Sequence, residues 1–100
     1  MKAFERRRGI LEQAWIGDAV LSLYARSRIL SAGGVVDSAK FERMTSNRFL
    51  AAFGEPSEVE ARIGRRYQRE GLQAAFAFIE STLIPMFDRQ EAKREKGLPR

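Results

Sequence analysis

Residues 11–24, read as LEQAWIGDAVLSLY, constrain this chain more than any other stretch. From position 14 to 25 they are apolar on almost every side, and Asp18 is the only charge among them. A helix that is apolar all round belongs in the middle of a protein. A carboxylate there must be paired, hydrogen-bonded, neutralised or bound to a metal. Ala14 lies one turn back, so the same helix offers no second acid on the Asp18 face. Another segment must supply the partner. The alternative is a helix break at Gly17, with Asp18 capping the second piece, although the apolar pattern continues on both sides.

Around this stretch the chain reads as one all-α domain of about four to five helices. A basic leader, residues 1–9, carries Arg6, Arg7 and Arg8 in a row. It reads as a solvated lead-in or a first helical turn, with phosphate contact as the alternative. A first helix over residues 10–30 ends at Gly33-Gly34, which permit a left-handed cap. A second starts near Asp37 as N-cap and breaks near Ser46-Asn47. A third spans residues 58–70, with Val59, Ile63 and Tyr67 along its buried line and Gly71 at its end. Ser57 and Glu60 are spaced as its capping box. A fourth buries Leu72, Ala75, Phe76, Ile79, Leu83 and Met86, and Pro85 kinks or ends it. The domain thus covers residues 10–88, and the charged run 89–100 reads as frayed helix or disordered tail.

Composition removes whole classes of chemistry. There is no cysteine and no histidine, so disulfide partners, thiolate sites, the usual zinc ligands and the commonest general base are all missing. Any catalysis must use carboxylates, hydroxyls, lysine or a hard metal held by oxygen. No run approaches the roughly 18–20 apolar residues of a membrane span, and the start lacks the apolar core of a secretory signal. No membrane partner is expected, and the expected setting is cytoplasmic, with an organelle left open. The net charge is +5, mostly from arginine, whose planar fork suits phosphate. A polyanion partner fits that balance.

Four features carry candidate function, each with a plainer alternative. Asp18 could hold a cation at the edge of the core. Glu60 lies near the Val59–Ile63–Tyr67 side, where it could meet Asp18, unless the cap claims it. Arg62, Arg65, Arg66 and Arg69 fall at i, i+3, i+4 and i+7, one basic stripe that either tracks phosphates or is solvated and paired with Glu58 and Glu70. Trp15, the only tryptophan, either fills the core or anchors a dimer interface.

The stretch Ala14-Trp15-Ile16-Gly17-Asp18-Ala19-Val20 resembles the signature helix of ribonuclease III. Its alanine and aromatic at the front look most like the mini-ribonuclease III branch. Met44-Thr45-Ser46-Asn47-Arg48-Phe49-Leu50-Ala51 is similar to the family's Val-Ser-Asn segment. Val59-Glu60-Ala61-Arg62-Ile63-Gly64, then Tyr67 and Gly71-Leu72-Gln73-Ala74-Ala75, resembles its second acidic motif. The three matches keep the family's order and cover most of residues 10–80. The resemblance implies a helical nuclease domain, working as a homodimer on double-stranded RNA with magnesium, or manganese in its place, held by carboxylates. The metal-binding aspartate falls on Asp18, the metal-bridging glutamate on Glu60 and the aromatic that packs into the partner subunit on Trp15. Asn47 and the four arginines are the expected RNA contacts, but the arginines are not implied by the resemblance. The family keeps small or apolar residues where Arg62, Arg65 and Arg66 stand, a face that a missing helix leaves for solvent, RNA or another subunit.

Two of the family's four acids are replaced, one by Ala14 and one by Ser57. Asp18 and Glu60 are 42 residues apart, shorter than in the family by about a helix and a loop. No double-stranded-RNA-binding domain follows, as in the mini branch. The leading expectation is a metal-dependent endoribonuclease. The alternatives are a non-catalytic RNA-binding or ribosome-associated protein of the same fold, and a helical dimer that binds no nucleic acid.

Overall fold

The computed structural model describes residues 3–97, all of whose regular structure is helical. The outer ends of the expected leader and tail, residues 1–2 and 98–100, lie outside them. Helix α1 spans Ala3–Gly33, so the helical reading of the leader is the one observed, and the helix begins earlier than residue 10. There is no break at Gly17-Asp18. Beyond its end, Gly34 takes φ +70° and its N–H donates to the Leu30 carbonyl at 2.7 Å, the left-handed cap that the Gly-Gly pair allows.

Helix α2, Ser38–Thr45, is capped by Asp37, whose side chain accepts from the Lys40 N–H at 3.0 Å. Ser46 closes α2 and also caps the single turn α3, Asn47–Leu50, accepting from the Phe49 N–H at 3.1 Å. Helix α4 is Pro56–Glu70, α5 is Leu72–Thr82 and α6 is Ile84–Gly97. Pro85 sits in the first turn of α6, where its missing N–H costs nothing, so it starts a helix rather than kinking one.

Helix α4 corrects one expectation. Its cap is Glu55, whose side chain accepts from the Glu58 N–H at 3.0 Å, followed by Pro56 in the first turn. Ser57 therefore falls inside the helix, and the Ser57–Glu60 capping box does not form. In the tail, the helical alternative is the one observed. Helix α6 continues well past Asp88, tied down by Arg28–Asp88 at 2.9 Å and by the forked Arg43–Glu91 pair at 2.8 and 2.9 Å.

One face of α1 forms the floor of the core. Leu21, Tyr24 and Ala25 pack with Met44 of α2, Phe49 and Leu50 of α3, Val59 and Ile63 of α4, Ala75 and Ile79 of α5, and Phe87 of α6. Edge-to-face contacts of Tyr24 with Phe76 and of Phe49 with Phe87 order the aromatic part. The expectation that α1 is surrounded fails on its other face. Trp15 is 80% exposed, Leu11 and Leu23 each 47%. After α2 to α6 have covered one side of α1, the described chain holds no further helix for the other. Tyr67 is also exposed, being near the end of α4 and beyond the core that buries Val59 and Ile63.

Candidate carboxylate site at the α1–α4 contact

Helices α1 and α4 meet backbone to backbone. A Cβ on Gly17 would run into the Glu60 carbonyl oxygen, and one on Gly64 into that of Gln13. Both glycines are buried, and each occupies the space in which the other helix's backbone lies. The Arg7–Glu55 ion pair, 3.6 Å, joins the helices on the N-terminal side of that contact in both, so they run in the same general sense. The two acids singled out by sequence flank this contact. Asp18 follows Gly17, and Glu60 precedes Gly64 by one turn.

The two carboxyl groups come within hydrogen-bonding reach of each other. Asp18 stands at the rim of the core, exposed instead of turned inward, while Glu60 is half-buried on the inner side of α4. Partial burial, the hydrogen bond with Asp18 and the negative charges of Asp18 and Glu55 together push Glu60 up to about 7. Two carboxylates in contact repel unless a proton or a cation lies between them. The donor set is thus chemically suited to either.

The residues fit a hard divalent ion only in part. Among the described residues, no group of three or more acids, histidines or cysteines is gathered for a metal. Ala14 is buried and offers no donor, and Ser57 is half-buried in the first turn of α4. Asp18 and Glu60 supply two oxygen-bearing groups on an open side of the molecule. Magnesium, which keeps several waters and takes one or two carboxylates together with substrate phosphate, is the ion such a pair suits.

The remaining candidates are spread over separate surfaces. Trp15 projects from the uncovered face of α1, adjoining Asp18 and lining a shallow apolar hollow with Arg7, Arg8, Leu11 and Glu12. Asn47 is exposed in the first turn of α3. The four arginines line one cleft on α4, but not beside the acids. At about 100° per residue, they project some 140–240° around the helix from Glu60. Sequence reasoning missed Gly64 as the mate of Gly17, although its place in the middle of a helical segment was a readable signal. It also missed Gln13, which accepts from Arg65 at 2.9 Å, and Phe78, over whose ring Arg66 lies at 5.2 Å. Compared with known proteins, the chain matches no family model, no curated protein and no solved structure.

Proposed function

We propose that this protein is a minimal metal-dependent endoribonuclease that cleaves double-stranded RNA as a homodimer, with Asp18 and Glu60 at its reacting centre. The observation that carries this reading is the meeting of two carboxyl groups, 42 residues apart in sequence, across a contact stripped of side chains on both helices. A fold has little reason to bring two acids together at an exposed rim unless something positive sits with them. The motif resemblance to ribonuclease III supports the same pair.

Asp18 and Glu60 would hold magnesium, which when bound supplies charge neutralisation and a more acidic water. Everything else falls to the protein. The Gly17–Gly64 contact fixes the spacing of the two acids, because backbone cannot rotate aside. Until a cation displaces it, a proton shared with Asp18 is held at the Glu60 carboxyl, which partial burial and its acidic neighbours push up to about 7. The exposed line of Leu11, Trp15 and Leu23 beside Asp18 is of the kind that a second copy covers, and a twofold axis there would present two carboxylate pairs to one duplex. A-form RNA would then be read by its shape and 2′-hydroxyls rather than by sequence.

A non-catalytic RNA-binding protein of the same fold is the second reading. The replacement of two family acids by Ala14 and Ser57 favours it. Incubating a labelled RNA duplex with the protein, with magnesium or with EDTA, separates the two. Cleavage that EDTA abolishes supports the nuclease. A duplex that is retarded on a native gel but left intact supports the binding protein.

A further inference from the structure

The arginines of α4 are not an ordinary solvated stripe. Arg62, Arg65, Arg66 and Arg69 line a cleft of about 220 Å³ together with Glu70 and Phe78. Four guanidiniums share it with a single carboxylate. Glu70 pairs with Arg66 at 3.3 Å, and among the described residues the other three make no ion pair. Arg62 donates to the Phe53 carbonyl at 3.2 Å and Arg65 to the Gln13 side-chain oxygen at 2.9 Å. Both partners are neutral, so they hold the guanidinium in place without cancelling it. Arg66 is braced on the Phe78 ring as well. Fixed, like-charged groups in a concavity concentrate positive potential and favour an anion.

The anion's chemistry follows from the lining. Among the described residues Phe78 is the only apolar side chain lining the cleft, and Arg66 already lies over its ring. A protein segment would find little apolar surface to bury, whereas a phosphodiester strand brings a charge with every residue. From Arg62 to Arg69 the helix rises about 10 Å. Successive phosphates follow at about 3.4 Å of axis along one strand of a B-form duplex, so the row spans more than one phosphate. The guanidinium fork is matched to phosphate oxygens.

We propose that this cleft is an RNA-anchoring subsite, separate from the Asp18–Glu60 pair, that grips consecutive backbone phosphates without reading sequence. The proposal rests on an RNA partner but not on cleavage. It assigns the four arginines to affinity and not to the chemical step, since they leave α4 on the side away from Glu60.

The test uses the full chain carrying Asp18→Asn, without magnesium, so that binding is seen alone. Duplex affinity is measured from low to moderate salt for this protein, for the same protein with Arg62→Gln and Arg69→Gln, and for a control with Arg89→Gln and Lys93→Gln. Arg62, Arg69, Arg89 and Lys93 are all exposed, so both pairs remove the same surface charge. The expected result is a slope of log affinity against log salt shallower by about two for the cleft pair, about one for each lost phosphate contact, on duplexes of unrelated sequence. The control pair shifts it by less than half as much. Inorganic tripolyphosphate is expected to raise the melting temperature of the parent and control proteins but not of the cleft variant. Equal slopes for the two pairs would overturn the anchor while leaving the nuclease reading intact. Polyglutamate binding that depends on Arg62 and Arg69, with duplex binding indifferent to them, would overturn it in favour of an acidic protein. Loss of the slope change in a protein that binds but does not cut RNA is not expected, and its retention there upholds the anchor even as the nuclease reading falls.

Discussion

Adding one methyl group at Gly17 or Gly64 tests the helix contact on which the carboxylate pair depends. A Cβ on Gly17 would lie 2.6 Å from the Glu60 carbonyl carbon and 3.0 Å from the Gly64 nitrogen, where ordinary contact begins at 3.4 Å. One on Gly64 would lie 3.0 Å from the Gln13 carbonyl carbon and 3.1 Å from the Gly17 nitrogen. All four atoms are backbone, so α4 must move away from α1 and loosen the buried Leu21, Ala61 and Ile63 behind it. Overpacking usually costs about 1–3 kcal/mol, and here the moving body is a whole helix, so the upper end or beyond applies. Alanine's better helix propensity returns about 1 kcal/mol. The net loss is about 2–4 kcal/mol, or a melting temperature roughly 10–25 °C lower in a domain of this size. Gly9 is the internal comparison, because a Cβ there meets nothing within 4 Å. Gly9→Ala should gain about 0.5–1 kcal/mol. Thermal melts followed by circular dichroism read all three. A Gly17→Ala or Gly64→Ala protein that melts at or above wild type would refute the close contact.

Three further outcomes follow from other parts of the structure. Because Glu60 is raised from the ordinary 4.5 to about 7, its contribution to stability is complete below 4.5 and lost as pH rises through 7. A full shift of that size is worth about 3 kcal/mol, and partial exposure of the side chain reduces it to about 1–2 kcal/mol. Urea melts of Glu60→Gln should lack this pH dependence; a wild-type curve equally flat from pH 4 to 8 would count against the pairing with Asp18. Trp15→Ala should weaken self-association by about 2 kcal/mol, some 30-fold in dissociation constant, with little change in melting. Sedimentation showing the same monomer at all concentrations in both proteins would remove the dimer. Arg43→Gln should destabilise by about 1–2 kcal/mol and speed hydrogen exchange in α6. Arg43 holds Glu91 below the usual carboxylate range, so the pair's contribution is present above that range and is lost as pH falls into it.

The helical class, the Ser46 break and the Gly34 cap were legible in the sequence because each is decided locally. Asp37 and Ser46 cap whatever follows them, and glycine alone takes φ +70° easily. What could not be read was decided by packing. Apolar residues on both faces of α1 do not reveal how many neighbours the chain can place around it, so Trp15 and Leu11 stand outside. Ser57-x-x-Glu60 has the spacing of a capping box, yet Glu55 and Pro56 claim the helix start upstream. The charged run after Asp88 has no core residues of its own. It continues a helix that the buried Ile84 and Phe87 anchor, and Arg43, far away in sequence, pairs with Glu91 on it. Asp18 and Glu60 were found by type and motif, while their contact required Gly17 and Gly64 to be opposite each other. The arginine spacing was visible, but the cleft was not, since Phe78, Gln13 and the Phe53 carbonyl come from three other segments.

The most direct measurement is the single-turnover cleavage rate of a labelled RNA duplex at saturating protein and magnesium, for wild type and for Asp18→Asn. The expected result is cleavage by wild type and a loss of about 100-fold or more in the variant, the scale seen when one electrostatic partner of a reacting centre is removed. Duplex binding should stay unchanged. A duplex left whole by wild type, or cut equally fast by Asp18→Asn, would contradict a nuclease centred on Asp18 and Glu60.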